Sequence, residues 1–182
     1  MNPPATSRPE ARLAGYLWGP LSGFGLAVAL GGIILDQTVK LWLLYGFELD
    51  LKGRVPMLPF FDLILAWNKG ISYGLFQQDG ALGRWLLTAI KVLAVVVLWG
   101  WLAKAATRLT AAALGLIIAG AAGNAIDRVL HGAVVDFALL HITTATWRFN
   151  WYVFNLADVA IVAGVAILLY ESLIGDRAAK AP

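Results

Sequence analysis

Four stretches of nearly unbroken apolar residues, 16–35, 85–103, 109–126 and 154–170, constrain this chain more than any other feature. A helix crosses the hydrocarbon core of a bilayer with about 20 mostly apolar residues. The first stretch carries no charge and stops abruptly at Asp36, and the second is interrupted only by Lys91. With 60% hydrophobic and 14% charged residues, the chain has too little polar surface for a soluble domain, in which about 25% of residues are charged. The first stretch is longer than the roughly 7–15-residue apolar core of a secretory signal peptide and lacks a cleavage site, so it is read as a retained span. The expected fold is an all-α membrane protein of four transmembrane helices, forming a single domain over residues 1–182.

The segment between the first two spans reads differently. Phe60 to Trp67 has strand-like composition, and Gly70, Gly74, Gly80 and Gly83 supply turns. A small extramembrane β-rich segment is therefore expected between helices one and two. Residues 143–152 hold Trp147, Phe149, Trp151 and Tyr152, aromatic rings that suit the headgroup layer.

Composition also excludes function classes. The net charge of +3 is scattered rather than gathered into a basic stripe, which argues against nucleic acid as a partner. The absence of cysteine removes disulfides, thiolate catalysis and cysteine-based metal sites.

With four crossings, the ends of spans one and three and the starts of spans two and four face the same side. Asp36, Asn68, Asn124, Asp127, Asp136, Asn155 and Asp158 then share one face of the membrane. The opposite face keeps both tails and the tight turn from Lys104 to Arg108, whose Arg8, Arg12, Lys104, Arg108, Arg177 and Lys180 mark it as cytoplasmic by the positive-inside rule. Both termini are expected in the cytoplasm, and the polar cluster at the outer face.

Carboxylates at membrane depth cost roughly 2.5 to 3.5 kcal/mol each on insertion scales, so each needs a reason to be there. Asp36 and Lys40 stand at i and i+4 and form an ion pair on one helix face. Asp127 is adjacent to Arg128, which suggests a paired scaffolding carboxylate. Asp136 and Asp158 sit among apolar neighbours with no base beside them, which raises a carboxyl's proton affinity. If the fold brings them together, repulsion leaves one protonated and one ionised, the arrangement aspartic proteases use. If it does not, they are two separately capped helix-end aspartates. Asn155 stands one turn before Asp158 and is placed to orient it.

Gly70-Ile71-Ser72-Tyr73-Gly74 fits the Gly-x-Ser-x-Gly elbow of serine hydrolases. The match is weak, because the elbow needs a histidine base, and His131 and His141 fall in the segment read as a loop outside any triad setting. The histidines also lack a zinc-ligand spacing.

Five ordered blocks carry a family resemblance: Asp36-Gln37-x-x-Lys40; Asn68-x-Gly70 with Ser72-Tyr73-Gly74-Leu75-Phe76; Gly120-x-x-Gly123-Asn124-x-x-Asp127-Arg128; Val135-Asp136-Phe137; and Phe154-Asn155-x-Ala157-Asp158. On a four-span background this order resembles the lipoprotein signal peptidases, or signal peptidase II. Ala121 departs from the pattern where a second glycine is frequent, Tyr73 where phenylalanine is common, and the stretch between the two aspartates is slightly long.

The resemblance implies a catalytic pair of Asp136 and Asp158. It implies that Asn68, Gly70, Asn124, Arg128 and Asn155 shape the site, and that Asp36, Lys40 and Asp127 support it. The implied reaction is hydrolysis of a diacylglyceryl-modified prolipoprotein just before its lipidated cysteine, in a bacterial inner membrane, by a monomer without metal or organic cofactor. A channel or carrier would scatter polar groups through the membrane depth, whereas here they gather at one end, with Lys91 the main exception. A purely structural scaffold with capped helix ends is the other alternative.

Overall fold

The structure, a computed structural model, describes residues 17–70 and 81–179. Helix α1 spans Ser22–Leu41 and closes with a π-helical turn, Trp42–Gly46. A short helix α2 (Leu49–Lys52) leads to strands β1 (Val55–Leu58) and β2 (Phe61–Asn68). Helices α3 (Ala81–Leu102) and α4 (Arg108–His131) follow, then β3 (Val134–Thr143), β4 (Arg148–Asn150) and helix α5 (Leu156–Ala179). Among the described residues, four segments are long and apolar enough to cross a membrane: Ser22–Gly46, Trp85–Leu102, Arg108–His131 and Leu156–Leu173.

Helix α4 is the centre of the bundle and packs against α1, α3 and α5. Its buried positions are mostly small, including Ala111, Ala113, Gly115, Ala119, Gly120, Ala121 and Gly123. Between lipid-facing helices the hydrophobic effect supplies little drive to associate, so close backbone approach must supply it. A Cβ at Gly120 would overlap the carbonyl of Ala157 on α5. One at Gly123 would stand 2.7 Å from Asp36 Oδ2 on α1. These two glycines let α5 and the Asp36 carboxylate close on α4.

The four strands form one antiparallel sheet in the order β1-β2-β3-β4. The fold is mostly helical with a small sheet, as expected, but the sheet is not confined to the segment between the first two spans. β1 and β2 lie between α1 and α3, whereas β3 and β4 lie between α4 and α5. The sheet is thus assembled from two distant segments, and half of it falls where a loop with interfacial aromatics was expected. Leu43, Leu49, Leu63, Phe137 and Ala138 form the core that joins the sheet to the helix ends. A second core, including Ala29, Leu102, Ala111 and Leu114, lies toward the α3–α4 turn.

Helix ends also differ from the apolar runs. Helix α1 continues past Asp36 to Leu41, and α4 runs past residue 126 to His131, so Asn124, Asp127 and Arg128 are helical. Polar residues can extend a span when neighbouring helices satisfy them. Gly83, expected in a turn, lies inside α3. His131 ends α4 and His141 lies on β3, so neither is in a loop. Gly132, with φ 77°, caps α4 by donating its N–H to the Arg128 carbonyl, and this left-handed turn launches β3. Gly74, Gly80, the rest of the Gly-x-Ser-x-Gly match beyond Gly70, and the block Ser72 to Phe76 lie outside the described residues.

Candidate active site

β3 leaves the α4 cap and runs beside β2, with Asp136 opposite Ala66. Two residues along β2 stands Asn68, whose Nδ2 donates to Asp136 Oδ2 at 3.0 Å. Asn68 is itself held, because its Oδ1 accepts the Gly70 N–H at 3.0 Å. Asp136 is 2% exposed. Burial pushes its carboxyl up to about 7; the Asn68 hydrogen bond opposes this, the Asp158 charge adds to it, and Asn155 and Lys40 oppose it.

Asp158 occupies the first turn of α5. Asn155 and Asp158 cap one another: the Asp158 N–H donates to Asn155 Oδ1 at 3.0 Å, and the Asn155 N–H donates to Asp158 Oδ2 at 3.2 Å. This is the reciprocal geometry of a capping box. The side-chain amide of Asn155 meanwhile donates to Asp136 Oδ1 at 2.6 Å and to Asn124 Oδ1 at 3.1 Å. Asn124 Nδ2 completes the ring by donating to Asp158 Oδ1 at 2.9 Å. One residue, Asn155, therefore hydrogen-bonds to both carboxyls.

Beneath this ring lies a buried ionic layer. Lys40 Nζ stands 2.7 Å from Asp36 Oδ2 and 2.7 Å from Asp127 Oδ2. The expected Asp36–Lys40 pair is present, but the expected Asp127–Arg128 pair is not. Adjacent helical side chains point in different directions, and Arg128 turns instead to the carbonyls of Gly70, at 3.0 Å, and Asn124, at 3.2 Å. Gln37 Nε2 donates to Asp127 Oδ1 at 2.9 Å. The two scaffold carboxylates each accept a backbone N–H next to one of the pair: Asp36 from Ala157 at 3.0 Å, and Asp127 from Val135 at 3.1 Å. Lys40 thus fixes α5 and β3 relative to α1 and α4, and with them the separation of Asp136 and Asp158.

All ten expected site residues stand in these two layers. Sequence reasoning gave no role to Gln37, although it sits inside the first block. It also missed a charged cluster on the sheet, where Arg54 pairs with Asp62 and His141 Nε2 lies 3.2 Å from Asp62 Oδ2 without hydrogen-bond alignment. Burial would raise the Asp62 carboxyl, but Arg54 and His141 hold it below its ordinary range. Only spatial pairing across β2 and β3 reveals that cluster. Among the described residues, no group of three or more His, Asp or Glu side chains is arranged to hold a metal ion.

An apolar cavity of about 290 Å³ opens beside Asp158, lined by Leu140, Trp151, Tyr152, Phe154, Val162 and Ala166 among others. Chemically, the site offers two mutually bridged carboxyls, one of them buried with raised proton affinity, next to a greasy groove.

A family described as Signal peptidase (SPase) II matches residues 28–174. The chain is 60% identical over 158 residues to a lipoprotein signal peptidase of Rhodopseudomonas palustris, covering 87% of this chain and 96% of the relative. It is 57% identical to one of Nitrobacter hamburgensis, with the same coverage of both chains. Two solved bacterial membrane enzymes, determined by the in meso method at 2.3 and 1.9 Å, superpose with TM-scores of 0.70 and 0.67. They are 26% and 25% identical to this chain, and the matches cover 87% of it and 92% and 97% of them.

Proposed function

The chain belongs to the signal peptidase II family, and from that premise we propose that it is a multi-pass bacterial membrane protease that removes signal peptides from prolipoproteins, with Asp136 and Asp158 as its catalytic pair. The single observation that carries the assignment is Asn155, whose amide and backbone tie the two carboxyls into one unit.

Asp136, buried and with its carboxyl near 7, is the member that keeps its proton. Asp158, at the mouth of the groove, is the base. Asp158 takes a proton from water as the hydroxide adds to the scissile carbonyl carbon, and the Asp136 O–H donates to the carbonyl oxygen that gains charge. The nitrogen then takes a proton, the C–N bond breaks, and the products are a carboxylate and an amine. Asn68, held by Gly70, and Asn124 keep both carboxyls oriented, while Arg128 anchors the Gly70 turn.

The substrate is a diacylglyceryl-modified precursor cut before its lipidated cysteine. The groove beside Asp158 suits acyl chains, each CH₂ of which gains about 0.8 kcal/mol on leaving water. Anchored substrate already holds much of that gain, so the lipid acts mainly to position the scissile bond. The enzyme works as a monomer in the inner membrane, with both termini cytoplasmic and the carboxyl pair at the outer face.

The test compares cleavage of one precursor, with and without the diacylglyceryl group, in the same bilayer by wild type, Asp136→Asn and Asp158→Asn. Only the lipidated form should be cut efficiently, and only by wild type. Turnover by either variant would sink the pair, and equal rates on both forms would sink lipid-guided positioning.

A further inference from the structure

The apolar cavity beside Asp158 does not end at the carboxyl pair. A second cavity, of about 330 Å³, adjoins it and is lined by Phe60, Leu140, His141, Ile142, Phe149 and Trp151. Leu140 and Trp151 line both cavities, and the Trp151 N–H donates to the Leu140 carbonyl at 2.8 Å, which ties the two halves of this shared wall together. The first cavity follows α5 into its span through Val159, Val162, Ala163 and Ala166. No residue of the second lies in a span.

Strand alternation directs Asp136, Leu140 and Ile142 to one face of β3, and Phe149 stands opposite Ile142 on β4. His141 turns Nε2 toward Asp62, 3.2 Å away, and Nδ1 toward Thr143 Oγ1, 3.5 Å away, so the lining stays apolar. Phe60, Ile142, Phe149 and Trp151 are nevertheless 43% to 55% exposed. A contiguous apolar surface of this kind, continuous with the groove at the carboxyl pair, marks a place where something docks.

A lipidated precursor brings two apolar groups to such a site, its acyl chains and its side chains. An acyl chain already lies in hydrocarbon and gains little by leaving it for a cavity outside the spans. A side chain downstream of the cut comes from water and gains by burial. The downstream segment is also the part that leaves the membrane, because the apolar core of a signal peptide precedes the cut. The path has a definite length. Leu140 and Ile142 lie four and six residues beyond Asp136, which is about 13 and 20 Å at about 3.3 Å per residue. An extended substrate held at the carboxyl pair covers the same distance in about four to six residues.

We propose that this cavity is a specificity subsite for the released side of the substrate, in which Ile142, Phe149 and Trp151 take a large apolar side chain about four to six residues beyond the scissile bond. The inference deepens the function proposed above and rests on it.

The experiment measures kcat and KM, in one detergent, for lipidated precursors in which a single phenylalanine or alanine is moved residue by residue along a Gly/Ser segment after the scissile bond. Phenylalanine about four to six residues beyond the bond should raise kcat/KM about tenfold over alanine, through KM, with no effect nearer or farther. Phe149→Ala should bring that ratio close to one, and Ile142→Ala reads the same ratio should Phe149→Ala fail to accumulate. A flat profile in a chain that cuts the lipidated precursor overturns the subsite and leaves the proposed function standing, whereas failure to cut it at all overturns both. A loss in Phe149→Ala that is equal for phenylalanine and alanine substrates also overturns the subsite, and assigns the cavity to an acyl chain common to both.

Discussion

Replacing Asp136 with asparagine should change how stability depends on pH, apart from its effect on catalysis. Burial holds the Asp136 carboxyl at about 7 against an ordinary 3.8. Between those values the folded protein keeps a proton that the unfolded chain releases, so stability falls as pH rises through the window and is fully lost above about 7. At about 1.4 kcal/mol for each tenfold change, the interval is worth about 4 kcal/mol at most. Asparagine does not titrate and removes this slope. It introduces a different cost, because Asp136 accepts from two amide donors, Asn68 and Asn155, and an asparagine NH₂ turned toward one of them leaves a donor facing a donor. That mismatch costs about 1–3 kcal/mol at every pH. The variant should therefore be less stable than wild type at pH 4.5 and level with it or more stable at pH 8.5. For a chain of this size about 1 kcal/mol corresponds to about 2–4 °C, so wild type should lose on the order of 10 °C more than the variant across that range. Thermal unfolding followed by tryptophan fluorescence in one detergent measures both curves, and the other titrating groups cancel in the difference. Parallel curves with a constant offset would refute the claim that Asp136 is a buried protonated acid.

Four further outcomes are expected. Lys40→Met leaves Asp36 and Asp127 facing each other without a cation and should cost about 3–5 kcal/mol in unfolding experiments, with activity lost because both carboxylates hold the backbone beside the catalytic pair. Asn155→Ala should lower kcat by about 100-fold with little change in KM, since it frees both carboxyls by a fraction of their working geometry; near-normal kcat would show that the bridge is dispensable. Accessibility tags at the N-terminus, in the Lys104–Arg108 turn and at the C-terminus should report from the cytoplasm, and a tag in residues 37–84 from outside; the reverse pattern would invert the proposed orientation. Ser72→Ala should retain cleavage, and loss of turnover with substrate still bound would revive serine chemistry.

The helices were legible in the sequence because the apolar runs record a local requirement, the thickness of a bilayer. Their ends were not, because polar residues such as Gln37, Lys40, Asn124 and Asp127 interrupt the runs while remaining helical. Each finds its partner on another element, so the helix has no reason to stop. The strand at Phe61–Asn68 was legible from composition, whereas β3 was not, since its first six residues are buried on both faces and show no alternation.

By itself, the sequence determined the number of apolar spans, the ordered blocks and the identity of every residue now found in the two polar layers except Gln37. The local Asp36–Lys40 pair also followed from spacing alone. Only the tertiary structure decided which groups meet: that Asp127 takes Lys40 rather than its neighbour Arg128, that Arg128 serves Gly70 instead, and that Asn155 joins Asp136 to Asp158. The physical reason is that periodicity and propensity act over one or two turns of chain. A hydrogen bond between α5 and β3 exists only after Gly120 and Gly123 have let the helices close on α4, and no local pattern records that approach.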